Sequence, residues 1–200
     1  MSTPSTALFA SHRLWEIVFL ASFVCWTFME KWLRSRDREA SGEAKDQGSF
    51  GVLLFLIPAG MVGAFIAAYG SPATRIAARA DAVFWSGIAL IWLGMALRAW
   101  AVLTLGRFFR LTVFVHEDHH LITHGPYRWL RNPGYAGSLV TAVGFGLALG
   151  NWLSLLLAAG AMFAAFGWRI TVEEKALRER FGQAYADYAR RSWALIPPIW

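Results

Sequence analysis

Long apolar blocks alternate with short polar segments along most of this 200-residue chain. A helix needs roughly 20 residues to cross the hydrocarbon core of a bilayer, and several blocks approach that length. The blocks lie at residues 14–32, 50–69, 83–105, 135–149 and 152–168. Only Gly150 and Asn151, a pair that favours a sharp turn, separate the last two. The pattern predicts an all-α integral membrane protein with about five transmembrane helices, of which the last two form a helical hairpin over residues 135–168.

A more polar stretch follows the fifth block. Its apolar side chains recur at helical spacing, at Leu177, Phe181, Tyr185 and Tyr188. This pattern, with arginines outside the apolar stripe, predicts an amphipathic C-terminal helix over residues 170–190. We therefore expect one membrane domain over residues 1–200, with three transmembrane helices in residues 1–105 and a functional core in residues 106–200.

Composition and charge support a membrane location. The chain is 56% hydrophobic and 16% charged, with a mean hydropathy of +0.41, which is more apolar than ordinary soluble domains. Basic residues are concentrated between the first and second blocks, which predicts that this loop is cytoplasmic. The N-terminus is then non-cytoplasmic, and the polar loop after the third block and the C-terminus are cytoplasmic. The net charge of +6 is accounted for by this topology and by contact with anionic membrane lipids, so no nucleic-acid partner is predicted.

Polar chemistry is concentrated in residues 119–135, with the sequence HHLITHGPYRWLRNPGY. Gly-Pro and Pro-Gly pairs predict two turns around a short bridge that carries Tyr127, Arg128 and Arg131. Such a loop presents backbone groups that need partners at a membrane surface, and an adenine ring can supply them. A second charged group, at 169–174, follows the hairpin and can return to the same membrane face.

A zinc motif is the competing interpretation of this region. His116, Glu117 and His120 satisfy H-E-x-x-H, in which two histidines one helical turn apart bind zinc. The surrounding sequence is β-branched and ends in Gly-Pro, which favours an irregular segment over the required helix, and a third ligand is missing nearby. We therefore predict no metal, and a membrane zinc hydrolase is the weakest of the alternatives.

The glycine-rich run GFGLALG, at residues 144–150, lies in an apolar block and follows no strand, so it does not predict a dinucleotide loop. Gly146 and Gly150 have the spacing that allows close packing of helices.

Several motifs in fixed order resemble the isoprenylcysteine carboxyl methyltransferase family and its phospholipid methyltransferase relatives. They are His119-x-Leu121-Ile122, Gly125-Pro126-Tyr127, Arg131-Asn132-Pro133-x-Tyr135, Arg169-Ile170-x-x-Glu173-Glu174-x-x-Leu177 and Phe181-Gly182-x-x-Tyr185-x-x-Tyr188. The resemblance covers about residues 106–198. It implies an integral-membrane enzyme that uses S-adenosylmethionine and methylates a lipidic or membrane-partitioned small acceptor.

The resemblance also implies roles for individual residues. Cofactor binding is expected from His119, His120, Leu121, Ile122, Tyr127, Asn132, Pro133, Gly134, Tyr135, Glu173 and Glu174. Catalytic roles are expected for Arg169, Glu173 and Arg131, with Arg169 facing the acceptor. The family often has Arg-His-Pro where this chain has Arg131-Asn132-Pro133, so no imidazole base is available at that position.

The sequence leaves the acceptor and the oligomeric state open. A carboxylate acceptor can be held by Arg169 through a two-pronged contact, whereas an amine needs a base, for which Glu173, Glu174 or a nearby histidine is a candidate. The alternative to an enzyme is a non-catalytic membrane scaffold or small transporter. Cofactor binding distinguishes the two.

Overall fold

The computed structural model describes Ala10 and residues 12–35, 48–109 and 121–200. These ranges contain helices and connecting turns but no β-strand. The α-helices are α1 (Arg13–Arg34), α2 (Ser49–Gly70), α3 (Ala80–Leu105), α4 (Pro133–Leu149), α5 (Trp152–Phe181) and α6 (Gln183–Arg190). The predicted all-α membrane fold is confirmed.

Three of the helices, α2, α3 and α5, are long and apolar enough to cross a membrane. The α4 helix is apolar but has only 17 residues. The α1 helix has 22 residues but carries charged residues, including Glu16 and Glu30. The total of five spans therefore stays a prediction.

The structure places a helix boundary differently from the sequence pattern. The pattern separated the hairpin, ending at residue 168, from a C-terminal helix over 170–190. Instead α5 continues for 30 residues, through Phe181. Neither glycine nor proline occurs between Trp168 and Phe181, so the change from apolar to polar composition does not end the helix. Gly182, with φ 50°, ends α5 and begins the short helix α6.

Glycines allow α3 and α4 to approach each other closely. An added Cβ on Gly94 of α3 would lie 2.4 Å from the carbonyl oxygen of Gly137 on α4, and one on Gly137 would lie 2.6 Å from that of Gly94. Two helical turns away on each helix, a Cβ on Gly144 of α4 would lie 2.6 Å from the carbonyl oxygen of Gly87 of α3. Backbone therefore packs against backbone along this interface, as small residues permit in membrane helices.

The predicted close helix packing at Gly146 and Gly150 holds only in part. Gly146 does pack closely, since a Cβ there would lie 2.4 Å from the Cα of Leu155 on α5. Gly150 has a different role, because its φ of 69° ends α4 in the left-handed conformation.

Asn151 joins two loops at one end of the bundle. Its fully buried side chain accepts hydrogen bonds from the amides of Leu153 (2.9 Å) and Ser154 (3.1 Å), which caps α5. It also donates to the carbonyl oxygen of Ser71 (3.0 Å) and accepts from the hydroxyl of Thr74 (2.9 Å). The α4–α5 turn is thus tied to the end of α2.

We predict that Gly94→Ala destabilises the protein by about 1–3 kcal/mol, because the new methyl group cannot fit without separating α3 from α4. Thermal unfolding in detergent measures the change. Gly160→Ala on α5 is the control, since a Cβ there meets nothing within 4 Å and alanine favours a helix over glycine. Equal stability of the two variants would contradict close packing at Gly94.

Candidate functional site

Arg169 is the largest fully buried side chain of the described residues. Its Nε donates to Oε1 of Glu173 (2.7 Å), one turn further along α5. The hydroxyl of Tyr135, from the first turn of α4, donates to the same oxygen (2.7 Å). A second guanidinium nitrogen of Arg169 donates to Oγ of Ser49 (2.8 Å), the first residue of α2. We call Ser49, Tyr135, Arg169 and Glu173 the Arg169 cluster.

Local structure explains how the Arg169 cluster assembles. Residues four apart share a helix face, which brings Arg169 and Glu173 together. Tyr135 is held by stacking on Phe166, with ring centroids 4.6 Å apart. A buried guanidinium needs compensating partners, and α2, α4 and α5 each supply one, because Ser49, the Tyr135 hydroxyl (3.3 Å from Nε) and Glu173 all accept from Arg169. Glu173 keeps 22% of its side chain exposed, whereas Arg169 and Ser49 are fully buried.

The polar loop places Tyr127 beside this cluster. Gly125 adopts a φ of 58° and begins a 3-10 turn, Gly125–Arg128, that buries Pro126 and Tyr127. Burial raises the pKa of the Tyr127 phenol well above its ordinary value, and the Glu173 carboxylate raises it further. Ile122 and Tyr127 pack together in a small apolar cluster against Ala101 of α3. The loop therefore places an apolar surface close to the Glu173 carboxylate.

Arg131 and Glu174 form a separate group with the segment 189–195, which we call the C-terminal segment. Nε of Arg131 donates to Oε1 of Glu174 (2.8 Å), and NH1 donates to the carbonyl oxygens of Ala189 (3.0 Å) and Ser192. Nδ2 of Asn132 donates to the carbonyl oxygen of Ala194 (2.9 Å).

Backbone hydrogen bonds extend this group. The Arg131 amide donates to the carbonyl oxygen of Trp193 (2.7 Å), and the Trp193 amide donates to that of Trp129 (2.9 Å). The hydroxyl of Tyr188 on α6 donates to the carbonyl oxygen of Tyr127 (2.6 Å). The C-terminal segment and α6 thus hold the polar loop in place.

The structure divides the predicted site residues by location. Tyr135, Arg169 and Glu173 are together in the Arg169 cluster, whereas Arg131, Asn132 and Glu174 contact each other or the C-terminal segment. Pro133 and Gly134 form the first turn of α4, and Leu121 is half-buried at the start of the described loop. His119 and His120 lie outside the described residues, as do His116 and Glu117 of the zinc motif.

Three residues near the site were not predicted. Ser49 was not singled out, because a serine at the start of a helix usually satisfies local backbone groups. Glu30 and Arg98 form an ion pair, and Arg98 also donates to the carbonyl oxygen of Gly134 (3.3 Å). The side chain of Arg98 is only 13% exposed.

The described part of the chain contains no group of three or more His, Cys, Asp or Glu side chains placed to hold a metal ion.

Comparison with known proteins identifies the protein family. The sequence profile of the phospholipid methyltransferase family matches residues 82–184, more than half of the chain. The chain therefore belongs to the phospholipid methyltransferase family, and the predicted resemblance is confirmed.

Individual relatives show which members of this family the chain resembles. The chain is 39% identical over 119 residues to a probable protein-S-isoprenylcysteine O-methyltransferase of Oryza sativa subsp. indica, covering 58% of this chain and 62% of the relative. It is 37% identical over 113 residues to protein-S-isoprenylcysteine O-methyltransferase B of Arabidopsis thaliana, covering 56% and 57%.

A solved structure agrees with these relatives. It is the eukaryotic intramembrane Ras methyltransferase isoprenylcysteine carboxyl methyltransferase, with 34% identity and a TM-score of 0.59, covering 73% of this chain and 52% of that one. The chain spans less than two thirds of the length of each of these three proteins.

We predict that Tyr188→Phe lowers stability by about 1–3 kcal/mol, because it leaves the buried carbonyl oxygen of Tyr127 without its hydroxyl donor. Burial raises the pKa of Tyr188 to about 12, from an ordinary value of about 10.

The folded state therefore holds this proton more tightly, so the contribution is complete below about pH 10 and is lost as the pH rises toward 12. Denaturation of both proteins across this pH range measures the difference. A difference that stayed constant through pH 12 would contradict the assignment.

Proposed function

We propose that the protein is an integral-membrane methyltransferase that uses S-adenosylmethionine and acts on an acceptor delivered from the bilayer. The observation that carries the proposal is the Arg169 cluster, in which Tyr135 and Glu173 meet from the two segments that the family resemblance marks as functional. Both segments lie within the family match. The names of the relatives, which are isoprenylcysteine O-methyltransferases, support the same reaction class.

The residues present fit this cofactor. Glu173 offers a partly exposed carboxylate, which suits the hydroxyl groups or the positive charge of S-adenosylmethionine. Ile122 and Tyr127 offer a buried apolar surface suited to a purine ring. The cofactor supplies a methyl group on a positively charged sulfur, so the transfer is a direct displacement.

Positioning is then the main task of the protein, because a displacement requires aligned reactants. Arg169 fixes the Glu173 carboxylate through its Nε, and Tyr135 fixes the same oxygen from α4. Arg169 is fully buried, which shields this side of the carboxylate from water. Arg169 also contributes a positive charge that favours an anionic acceptor through its field and not through contact, since its side chain is fully buried.

A carboxylate acceptor, such as the terminal carboxylate of a prenylated cysteine, fits the site best. A carboxylate is already deprotonated at neutral pH and needs no base, whereas an amine does. Asn132 cannot act as a base, and its amide already donates to Ala194. Glu173 is already engaged by Arg169 and Tyr135. The proposed topology places this site at the cytoplasmic face, as the distribution of basic residues indicates.

We predict that Glu173→Gln weakens S-adenosylmethionine binding at least about tenfold, because a neutral amide loses the charge that attracts the cofactor. Equilibrium binding of radiolabelled S-adenosylmethionine to protein in lipid nanodiscs measures the change. Glu179→Gln, at an exposed position of the same helix, is the matched control and is expected to bind like the wild type.

Thermal unfolding of both variants is the folding control. It is needed because the change at Glu173 also removes a partner of buried Arg169. Absence of binding to the wild-type protein at millimolar cofactor would overturn the enzyme and favour a scaffold or transporter.

We predict that Ser49→Ala raises the KM for an S-prenylated cysteine derivative about threefold to tenfold, because Arg169 loses one of its hydrogen bonds. The affinity for S-adenosylmethionine is expected to change little. Initial rates with varied acceptor, beside cofactor binding, measure the two effects.

Methylation of phosphatidylethanolamine in vesicles, without methylation of the prenylated cysteine derivative, would contradict the carboxylate acceptor while leaving the methyltransferase in place.

A further inference from the structure

Glu30 of α1 and Arg98 of α3 form an ion pair between two apolar helices. Nε and NH2 of Arg98 donate to the two carboxylate oxygens of Glu30, the second at 2.9 Å. The two side chains are only 15% and 13% exposed. This two-pronged geometry uses one edge of the planar guanidinium, which leaves NH1 directed elsewhere.

NH1 of Arg98 donates to the carbonyl oxygen of Gly134, at 3.3 Å. Gly134 is the second residue of α4 and directly precedes Tyr135 of the Arg169 cluster. Arg98 also lies against the next turn, since a Cβ added to Gly137 would be 2.7 Å from the Arg98 amide nitrogen. One side chain therefore contacts α1 and the first turn of α4 while its backbone packs against α4.

Stability alone explains this pair poorly. A buried ion pair gains little over apolar side chains of similar size, because removing two charges from water costs about as much as their attraction returns. Ionisable side chains within apolar membrane helices are rare and usually serve function. Here the contact made by the pair outside itself is to the turn that carries Tyr135.

We propose that Glu30 and Arg98 are positioning residues for the methyl-transfer site. Glu30 orients the Arg98 guanidinium, and Arg98 holds the first turn of α4 so that Tyr135 reaches Glu173. The inference rests on the proposed function for its catalytic consequence. It extends the functional unit to α1, which lies outside residues 82–184 of the family match.

Two variants separate positioning from simple cohesion of the helices. Arg98→Lys keeps a cation for Glu30, but a lysine cannot donate to both carboxylate oxygens and to Gly134 in the guanidinium geometry. The exchanged pair Glu30→Arg with Arg98→Glu keeps an ion pair between α1 and α3 but places an acceptor beside the Gly134 carbonyl oxygen. Ser22→Ala is the control, because it removes another polar contact of these helices, from Trp92 (3.2 Å).

Two readouts are needed. Amide hydrogen exchange of residues 134–138 is measured in cofactor-free protein, and the dissociation constant for S-adenosylmethionine is measured by equilibrium binding. We expect Arg98→Lys and the exchanged pair to accelerate exchange in this turn and to weaken cofactor binding about tenfold, with Ser22→Ala unchanged in both. The exchanged pair is expected to unfold near the wild-type temperature.

Wild-type exchange rates and affinity in Arg98→Lys, or restoration of both by the exchanged pair, would overturn the inference. If the exchanged pair does not fold, the Arg98→Lys result decides. A wild-type protein that does not bind S-adenosylmethionine would overturn the proposed function instead. Hydrogen exchange would then still show whether Arg98 holds the first turn of α4.

Discussion

The burial of one positive charge constrains much of this structure. Arg169 is fully buried, and a buried guanidinium is stable only when its donors are matched by acceptors. Glu173 supplies the opposite charge from the same helix, and Ser49 supplies an acceptor from the first residue of α2. Tyr135 completes the group from α4 by donating to the same carboxylate. The need to satisfy Arg169 therefore fixes how three helices meet, and the only partly exposed member of the ion pair is a carboxylate suited to a cofactor.

Close packing and polar contacts support this group in different ways. Gly94 and Gly137 bring the backbones of α3 and α4 together, which sets the distance between the two helices. Arg98 then adds a directional contact to the start of α4. In the polar loop, Arg131 donates to the backbone carbonyl oxygens of Ala189 and Ser192, which links the loop to the C-terminal segment. Packing thus determines separation, and hydrogen bonds determine orientation.

Local patterns predicted the parts of this arrangement that depend on neighbours in sequence. Hydropathy indicated each helix from α1 to α4 closely, and Arg169 and Glu173 share a face of α5 because they are four residues apart. Contacts between distant segments were not predictable in the same way. Ser49 lies 120 positions from Arg169, and every residue offers the kind of carbonyl oxygen that Arg131 and Asn132 select. Arg98 lies in an apolar block, and no local pattern indicated its ion pair with Glu30 of α1.

The unbroken length of α5 fixes the distance between its N-cap residue Asn151 and Arg169. Asn151 ties its first turn to the end of α2, and no break occurs before Gly182. At about 1.5 Å per residue, Arg169 lies about 27 Å along the axis from Asn151, close to the roughly 30 Å thickness of the hydrocarbon layer. The helix therefore keeps Arg169 at a fixed distance from the α4–α5 turn. For the methyltransferase proposed above, a lipid-anchored acceptor meets the Arg169 cluster when its own reactive group is carried at the same depth, so the membrane itself contributes to substrate selection.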